Sequence, residues 1–176
     1  MAGATTDIQC WPLDPANQRL VAYGVGAAQA VYPGCVALQS GSGSTTTGYL
    51  RNAATPGNAD LVAGLVATAT GGTYVQTGPG IVGGSTDGSV WVDVRTGTFL
   101  IQSGTGADLL SAATNGLTVY YGGENAQGPI ACATSASGTR PKLGIQFPQD
   151  PSQQNNFLPG SNYWPIKLNQ IGGPGT

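Results

Sequence analysis

Short runs of alternating apolar and polar residues, separated by glycine-containing turns, recur along most of this chain. The clearest run covers residues 90–95, where the valines at 90, 92 and 94 fall on one face of an extended strand and Trp91, Asp93 and Arg95 fall on the other. An Asp-Gly pair at 87–88 precedes it and signals a tight turn. The pattern predicts a half-buried strand with Trp91 and its neighbours on the solvent side.

A second run covers residues 142–147, and it predicts a strand with Leu143, Ile145 and Phe147 on the buried face. Other strand candidates follow at the spacing of about 8 to 12 residues that is typical of a sandwich or barrel. They are residues 18–23, 35–39, 49–52, 61–68, 73–77, 98–102, 117–121 and 130–133. Residues 107–113 are the one plausible helical segment, and strands never alternate with longer helical patterns. We therefore predict an all-β fold, a compact barrel or sandwich of short antiparallel strands.

The two ends differ from the middle and divide the chain into three parts. Residues 1–17 and 148–176 are rich in proline, which interrupts helices and central strands, so we predict extended N- and C-terminal arms around a β-barrel domain at 18–147. Each arm carries aromatic or apolar residues, namely Trp11, Tyr163, Trp164 and Ile166. Buried aromatics contribute much of the energy of protein interfaces, so these four are the candidate partner-binding residues. The alternative is that they pack on their own domain.

Composition makes the surface unusual. Charged residues are 8% of the chain, against roughly 25% in ordinary soluble domains. The net charge is −2 and the six cations form no basic run, which argues against nucleic-acid binding. No apolar stretch reaches the roughly 18 residues of a membrane span, and the first residues lack the pattern of a secretion signal, so we expect synthesis and folding in a cytoplasm.

The residue types needed for common catalysis are scarce. The chain has no histidine, which excludes Ser-His-Asp and Cys-His arrangements and imidazole metal sites. Cys10, Cys35 and Cys132 are widely spaced, so we predict reduced, buried thiols rather than a zinc or redox motif. We expect no cofactor and no bound metal.

Two carboxylate pairs remain conceivable for glycoside hydrolysis, Asp87 with Asp93 and Asp108 with Glu124. Each has a simpler interpretation: Asp87 forms a turn, Asp93 lies beside Arg95 on a solvent face, and Asp108 lies in a glycine-rich loop. We therefore predict a protein that is not an enzyme.

The middle of the chain resembles the small β-barrel family of bacteriophage capsid decoration (cement) proteins. The matching segments are residues 31–38, 58–66, 92–99, 106–119 and 142–145, which recur in the family's order as apolar strands around glycine turns. The resemblance spans about residues 27–147 and leaves both arms outside. Its motifs are glycine and apolar patterns without a catalytic signature.

The resemblance implies a structural protein of the virion that binds the outer capsid surface at junctions between capsomers. Its implied partners are the major capsid protein and two further copies of itself in a homotrimer. An alternative, motivated by the surface rich in Thr, Ser and Asn, is a carbohydrate- or cell-surface-binding module of a phage fibre or head-fibre.

Overall fold

The computed structural model describes residues 11–12, 19–39, 48–52, 60–69, 80–125, 128–135, 138–148 and 162–168. This part of the chain is all-β, as predicted. Its strands are β1 (Trp11–Pro12), β2 (Arg19–Gly24), β3 (Ala30–Val31), β4 (Val36–Gln39), β5 (Leu50–Arg51), β6 (Leu61–Ala69), β7 (Ile81–Val82), β8 (Trp91–Thr96), β9 (Thr98–Ser103), β10 (Thr118–Asn125), β11 (Gly128–Cys132), β12 (Lys142–Gln146) and β13 (Tyr163–Leu168).

Five of these strands close into a small barrel. Their order is β9-β11-β10-β12-β13, and β13 pairs again with β9. All these pairs are antiparallel except β9 with β11. The short strand β1 pairs with the first half of β9, next to the position where β11 pairs with the second half. Every barrel strand therefore has a pairing partner on each side.

The barrel interior is filled by the inward-facing side chains of all five strands. Phe99, Tyr121, Leu143 and Ile166 are almost completely buried there. Val36, Leu38, Val62 and Leu65 join the same cluster from outside the barrel. These four contacts fix the position of the second sheet against the barrel.

The second sheet has five strands in the order β2-β8-β6-β4-β5, and its two border strands meet at one end, where Val25 forms a single parallel bridge with Leu50. Apart from this bridge the described residues show no pairing between β2 and β5, and we call this sheet the open sheet. A separate apolar cluster covers its other face, built around Val66, Val92 and Val94 with Val25 and Leu50. The turn before β8 is the predicted one, since Gly88 adopts φ +72°, a backbone conformation that glycine favours. β3 and β7, which are far apart along the chain, form a third, two-stranded antiparallel sheet.

The C-terminal residues 163–168 correct the predicted arm. They form β13, which pairs with β9 along its length and with β12 at its far end. Proline fits here because the Pro165 carbonyl accepts a hydrogen bond from the Phe147 N–H at 2.9 Å, just beyond the end of β12. An N–H at this position would also face β12, but the regular pairing of β12 with β13 has already ended there. Its absence therefore breaks no hydrogen bond between the two strands. A truncation after Pro148 would thus remove a barrel strand rather than a free arm.

Part of the predicted N-terminal arm is also in the fold. Trp11 and Pro12 form β1, an edge strand on β9, where proline is tolerated. Residues 1–10 and 13–17 lie outside the described residues.

Two local predictions were wrong in detail. Strand β12 was predicted with Ile145 and Phe147 on its buried face, whereas both are exposed and Gln146 is completely buried. The cause is a bulge where β12 pairs with β10, which shifts the alternation by one residue after Leu143. The predicted helical segment at 107–113 is instead two 3₁₀ turns, Gly106–Asp108 and Ala112–Thr114. The strand predicted at 73–77 lies outside the described residues.

Candidate interaction surfaces and buried polar groups

The residues predicted to bind a partner lie mostly inside the barrel. Trp164 and Ile166 point into its interior, and Tyr163 is buried as well. The Trp164 indole N–H donates to the Asn162 side-chain oxygen at 2.7 Å, so its polar atom is satisfied within the chain. For these three residues the structure shows packing on their own domain, the alternative raised from the sequence. Trp11 is placed by its backbone pairing with Leu100, and its side chain lies outside the described residues.

An apolar surface that the sequence analysis did not select lies along β2. Among the described residues this six-residue strand pairs only with β8, so it forms one border of the open sheet. Leu20 is 56% exposed on one face and Val21 is 39% exposed on the other. Trp91, on the same face as Leu20, is 51% exposed at the end of β8. We call Leu20, Val21 and Trp91 the edge surface.

A second apolar surface lies on the outside of the barrel. Cross-strand pairing places Thr118, Ile145 and Lys167 in one outward-facing row, and Phe147 follows Ile145 on the same side. Ile145, Phe147 and nearby Leu117 are each more than one-third exposed. We call Leu117, Ile145 and Phe147 the barrel patch. It arises from the same bulge that turns Gln146 inward.

Gln146 holds the adjacent turn in place. Its amide nitrogen donates to the Ser111 carbonyl and the Asn115 side-chain oxygen, both at 2.8 Å, and its oxygen accepts from the Thr114 hydroxyl at 2.6 Å. Both the nitrogen and the oxygen of this buried amide thus have hydrogen-bond partners within the protein. It orders the turn that leads into β10.

The candidate carboxylates for glycoside hydrolysis form hydrogen bonds with different partners. Asp108 accepts from the Thr134 hydroxyl at 2.6 Å and from Arg140 at 2.8 Å. Partial burial alone would raise the pKa of Asp108, but these hydrogen bonds and the charge of Arg140 together lower it. Asp87 accepts from the Ala27 N–H at 2.7 Å. A lowered pKa favours an ion-pairing role for Asp108 over that of a general acid.

Glu124, the single glutamate of the chain, is buried at the joint between barrel and sheet. Its Oε1 accepts from the Val36 backbone N–H at 2.8 Å and from the Tyr121 hydroxyl at 3.0 Å. Among the described residues its Oε2 has no hydrogen-bond partner. Burial raises the pKa of Glu124 to about 7, against the smaller lowering effect of the two donors. The sequence analysis considered Glu124 only as a possible partner of Asp108, and the rarity of glutamate is the one signal that could have pointed to this site.

The thiols fit the prediction of buried, reduced cysteines where the structure describes them. Cys35 and Cys132 are both buried thiols. Burial raises the pKa of the Cys132 thiol to about 11, which suppresses the reactive thiolate. Cys10 lies outside the described residues.

The described residues contain no group of three or more His, Cys, Asp or Glu side chains arranged to hold a metal ion. No helix within them is both long and apolar enough to cross a membrane. In comparisons with known proteins, no family model, no curated protein and no solved structure matches this chain.

Proposed function

We propose that this chain is a non-enzymatic structural protein that binds the outer surface of an assembled tailed-phage capsid, at junctions between capsomers, and stabilises the shell. The observation that carries the proposal is the edge surface. Natural proteins protect long apolar edge strands with charges, prolines or covering segments, because an open edge pairs readily with other chains. On β2 the apolar Leu20 and Val21 are exposed instead. Such a strand suits a protein that completes its surface on a partner.

The physical logic of a capsid-binding role agrees with this surface. A protein that binds the assembled lattice more tightly than its dissociated subunits stabilises the lattice by mass action. An interface of apolar side chains and backbone hydrogen bonds also depends little on salt, since few charges take part. The proposed partner at the edge surface is the major capsid protein, and the proposed location is the virion exterior after synthesis in the host cytoplasm.

The proposal includes self-association as a homotrimer, which is the habit of the decoration proteins that the sequence resembles. The barrel patch is the second exposed apolar surface and is the candidate for this contact. A trimer that engages several capsid subunits at once gains effective concentration at each contact.

The test is co-sedimentation of the purified protein with undecorated tailed-phage capsids at low and high salt. We expect saturable binding at a fixed ratio to the major capsid protein, with little change as salt rises. Leu20→Lys and Val21→Lys, which place charges on the edge strand, should weaken binding at least tenfold. Val82→Lys is the matched control, because Val82 is 60% exposed on the separate two-stranded sheet of β3 and β7.

The outcomes separate the parts of the proposal. Absence of wild-type binding to any capsid at either salt concentration would refute the capsid role. Wild-type affinity in both β2 variants, each shown to be folded by circular dichroism, would refute the assignment of the edge surface.

Carbohydrate or cell-surface binding is the second candidate, and the exposure of Trp91 favours it. The half-exposed indole lies on the same strand face as Asp93 and Arg95, so an apolar ring stands beside polar groups. Sugar-binding sites commonly combine an aromatic face with a few oriented polar groups. A glycan screen in which the wild type binds and Trp91→Ala does not would favour this role over the capsid role.

A further inference from the structure

The position of Glu124 depends on a bulge. Between Tyr121 and Glu124, strand β10 contains one residue more than its partner β11, which pairs Tyr121 with Ala131 and Glu124 with Pro129. Regular alternation from Tyr121 would direct Glu124 outward. The extra residue turns it to the same side as Tyr121, whose hydroxyl it contacts. The fold thus directs a carboxyl group inward.

The carboxyl joins two parts of the molecule. Tyr121 and Glu124 belong to the barrel, whereas Val36 begins β4 of the open sheet, and Oε1 of Glu124 binds both donors. Val36 also packs in the barrel cluster, so its N–H lies where the two parts meet. A change in the charge of this carboxyl therefore acts at the contact between barrel and sheet.

The two protonation states differ in how well this site accepts them. Among the described residues, an ionised carboxylate here has donors at one oxygen and none at the other, and it forms no ion pair with a Lys or Arg. A neutral acid leaves one hydroxyl without an acceptor, which costs much less than an unpaired buried charge. The hydrogen bonds from Val36 and Tyr121 favour the ionised form, but burial outweighs them. The site consequently prefers the neutral acid in mildly acidic solution.

We propose that Glu124 is a proton-operated joint, which holds barrel and sheet together as a neutral acid and loosens their contact when it loses its proton. The proton leaves to bulk solvent and no bond other than O–H is broken. The other titratable groups near this carboxyl are the Tyr121 hydroxyl on β10 and the Cys35 thiol, which precedes β4 and interacts with Tyr121. Burial and the nearby Glu124 raise the pKa of Tyr121, so that hydroxyl stays a donor throughout.

The direction of the effect follows from linkage. The folded state holds this proton more tightly than the unfolded chain, in which the pKa returns toward 4.5. The stabilising contribution is therefore complete below about pH 4.5 and is lost as the pH rises through about 7. We therefore expect the contact between barrel and sheet to be stable in mildly acidic solution and weakened in mildly alkaline solution.

The first experiment uses the fact that the chain has one glutamate. Cell-free synthesis with glutamate carrying ¹³C at the side-chain carboxyl gives a single resonance that needs no assignment, and Glu124→Gln is the blank. We expect the resonance to titrate with a midpoint near pH 7 in the folded protein and near 4.5 in urea. A folded-state midpoint near 4.5 would overturn the proposal.

Tyr121→Phe tests the local arrangement. Loss of the hydroxyl donor removes a group that favours the ionised form, so the midpoint should move further up. A downward shift would contradict the arrangement at Oε1.

The second experiment measures the joint itself. Unfolding in urea is compared at pH 4.5 and pH 8 for the wild type and Glu124→Gln, which retains an oxygen for Val36 and Tyr121. Over this range the unfolding equilibrium constant of the wild type should rise by on the order of 10²-fold more than that of the variant. Amide exchange at Val36, corrected for its intrinsic pH dependence, should accelerate above pH 7 in the wild type alone. Titration of Glu124 without either change would show a buried acid that operates no joint.

Discussion

The barrel and the open sheet use similar apolar, β-branched strands but complete their hydrogen bonding differently. In the barrel, β13 returns to β9 and leaves each strand paired on both sides. In the described residues the sheet instead has two borders, the two-residue β5 and the six-residue β2, which are joined only at one end by the bridge between Val25 and Leu50. Closure satisfies the backbone whatever the side chains are, whereas an open border keeps capacity for a partner. We therefore expect the barrel to contribute most of the stability, and under the proposed function we expect the open border of the sheet to contact the partner.

The largest expected effect comes from comparing two tryptophans. Trp164 is 9% exposed inside the barrel and Trp91 is 51% exposed on the sheet. Trp164→Ala should lower the free energy of unfolding by about 3 to 5 kcal/mol, because it removes a large buried side chain. Trp91→Ala should lower it by less than about 1 kcal/mol. Urea unfolding measures the free energy of unfolding of each variant. Equal decreases in the two variants would contradict the expectation that the barrel contributes most of the stability.

The next effect tests how tightly the closing strand fits. A Cβ at Gly144 would overlap the Lys167 carbonyl oxygen, so Gly144→Ala must push β12 and β13 apart. We expect a loss of about 2 to 3 kcal/mol and faster amide exchange along both strands. Gly138→Ala is the control, since Gly138 has free space but φ +73°, and it should cost about 1 kcal/mol with only local changes in exchange. Unchanged exchange in β13 of the Gly144 variant would show that this closure is not tight.

The smallest effect concerns an ion pair on the barrel. Asp108→Asn removes the charge that Arg140 and Thr134 stabilise, and because this pair is partly exposed we expect a loss below about 1 kcal/mol at neutral pH. Because folding lowers the pKa of Asp108, this group adds stability at pH values above its unfolded pKa of 3.8, and that stability is lost as the pH falls from there through the lowered folded-state pKa. The variant should therefore lose less stability than the wild type between pH 5 and pH 2, as followed by thermal unfolding. A double-mutant cycle with Arg140→Gln would show whether the effect belongs to the pair.

Alternation along the sequence predicted the regular strands and failed at the bulges. Val92 and Val94 are buried as the pattern in β8 required. In β12 and β10, one extra residue reversed the alternation and buried Gln146 and Glu124. A bulge depends on how two distant strands align, and neither strand carries that information alone.

The candidate surfaces were harder to predict than the fold. Tyr163 and Trp164 were candidate partner-binding residues because they are aromatic and lie in a proline-rich segment predicted to be an extended arm, yet this segment forms β13 and Pro165 lies where its missing donor is harmless. The exposure of Leu20 and Val21 could not be read from their own sequence, which is that of an ordinary strand. It follows from β2 being last in the order of the sheet, a property of the topology.

The position of β13 near the end of this sequence also determines when the barrel can close during synthesis. Its partners in the barrel begin at Thr98, so the ring stays open during synthesis until residue 168 has left the ribosome. Until then β9 and β12 expose the borders that β13 later covers, and contacts between segments this far apart form slowly. During this interval, the strands of a newly made chain that later close into the barrel are still unpaired on one side and can pair wrongly with other strands. Slower translation of residues 149–168 would lengthen that interval and raise the share of aggregated chains, while the mature protein would be unchanged.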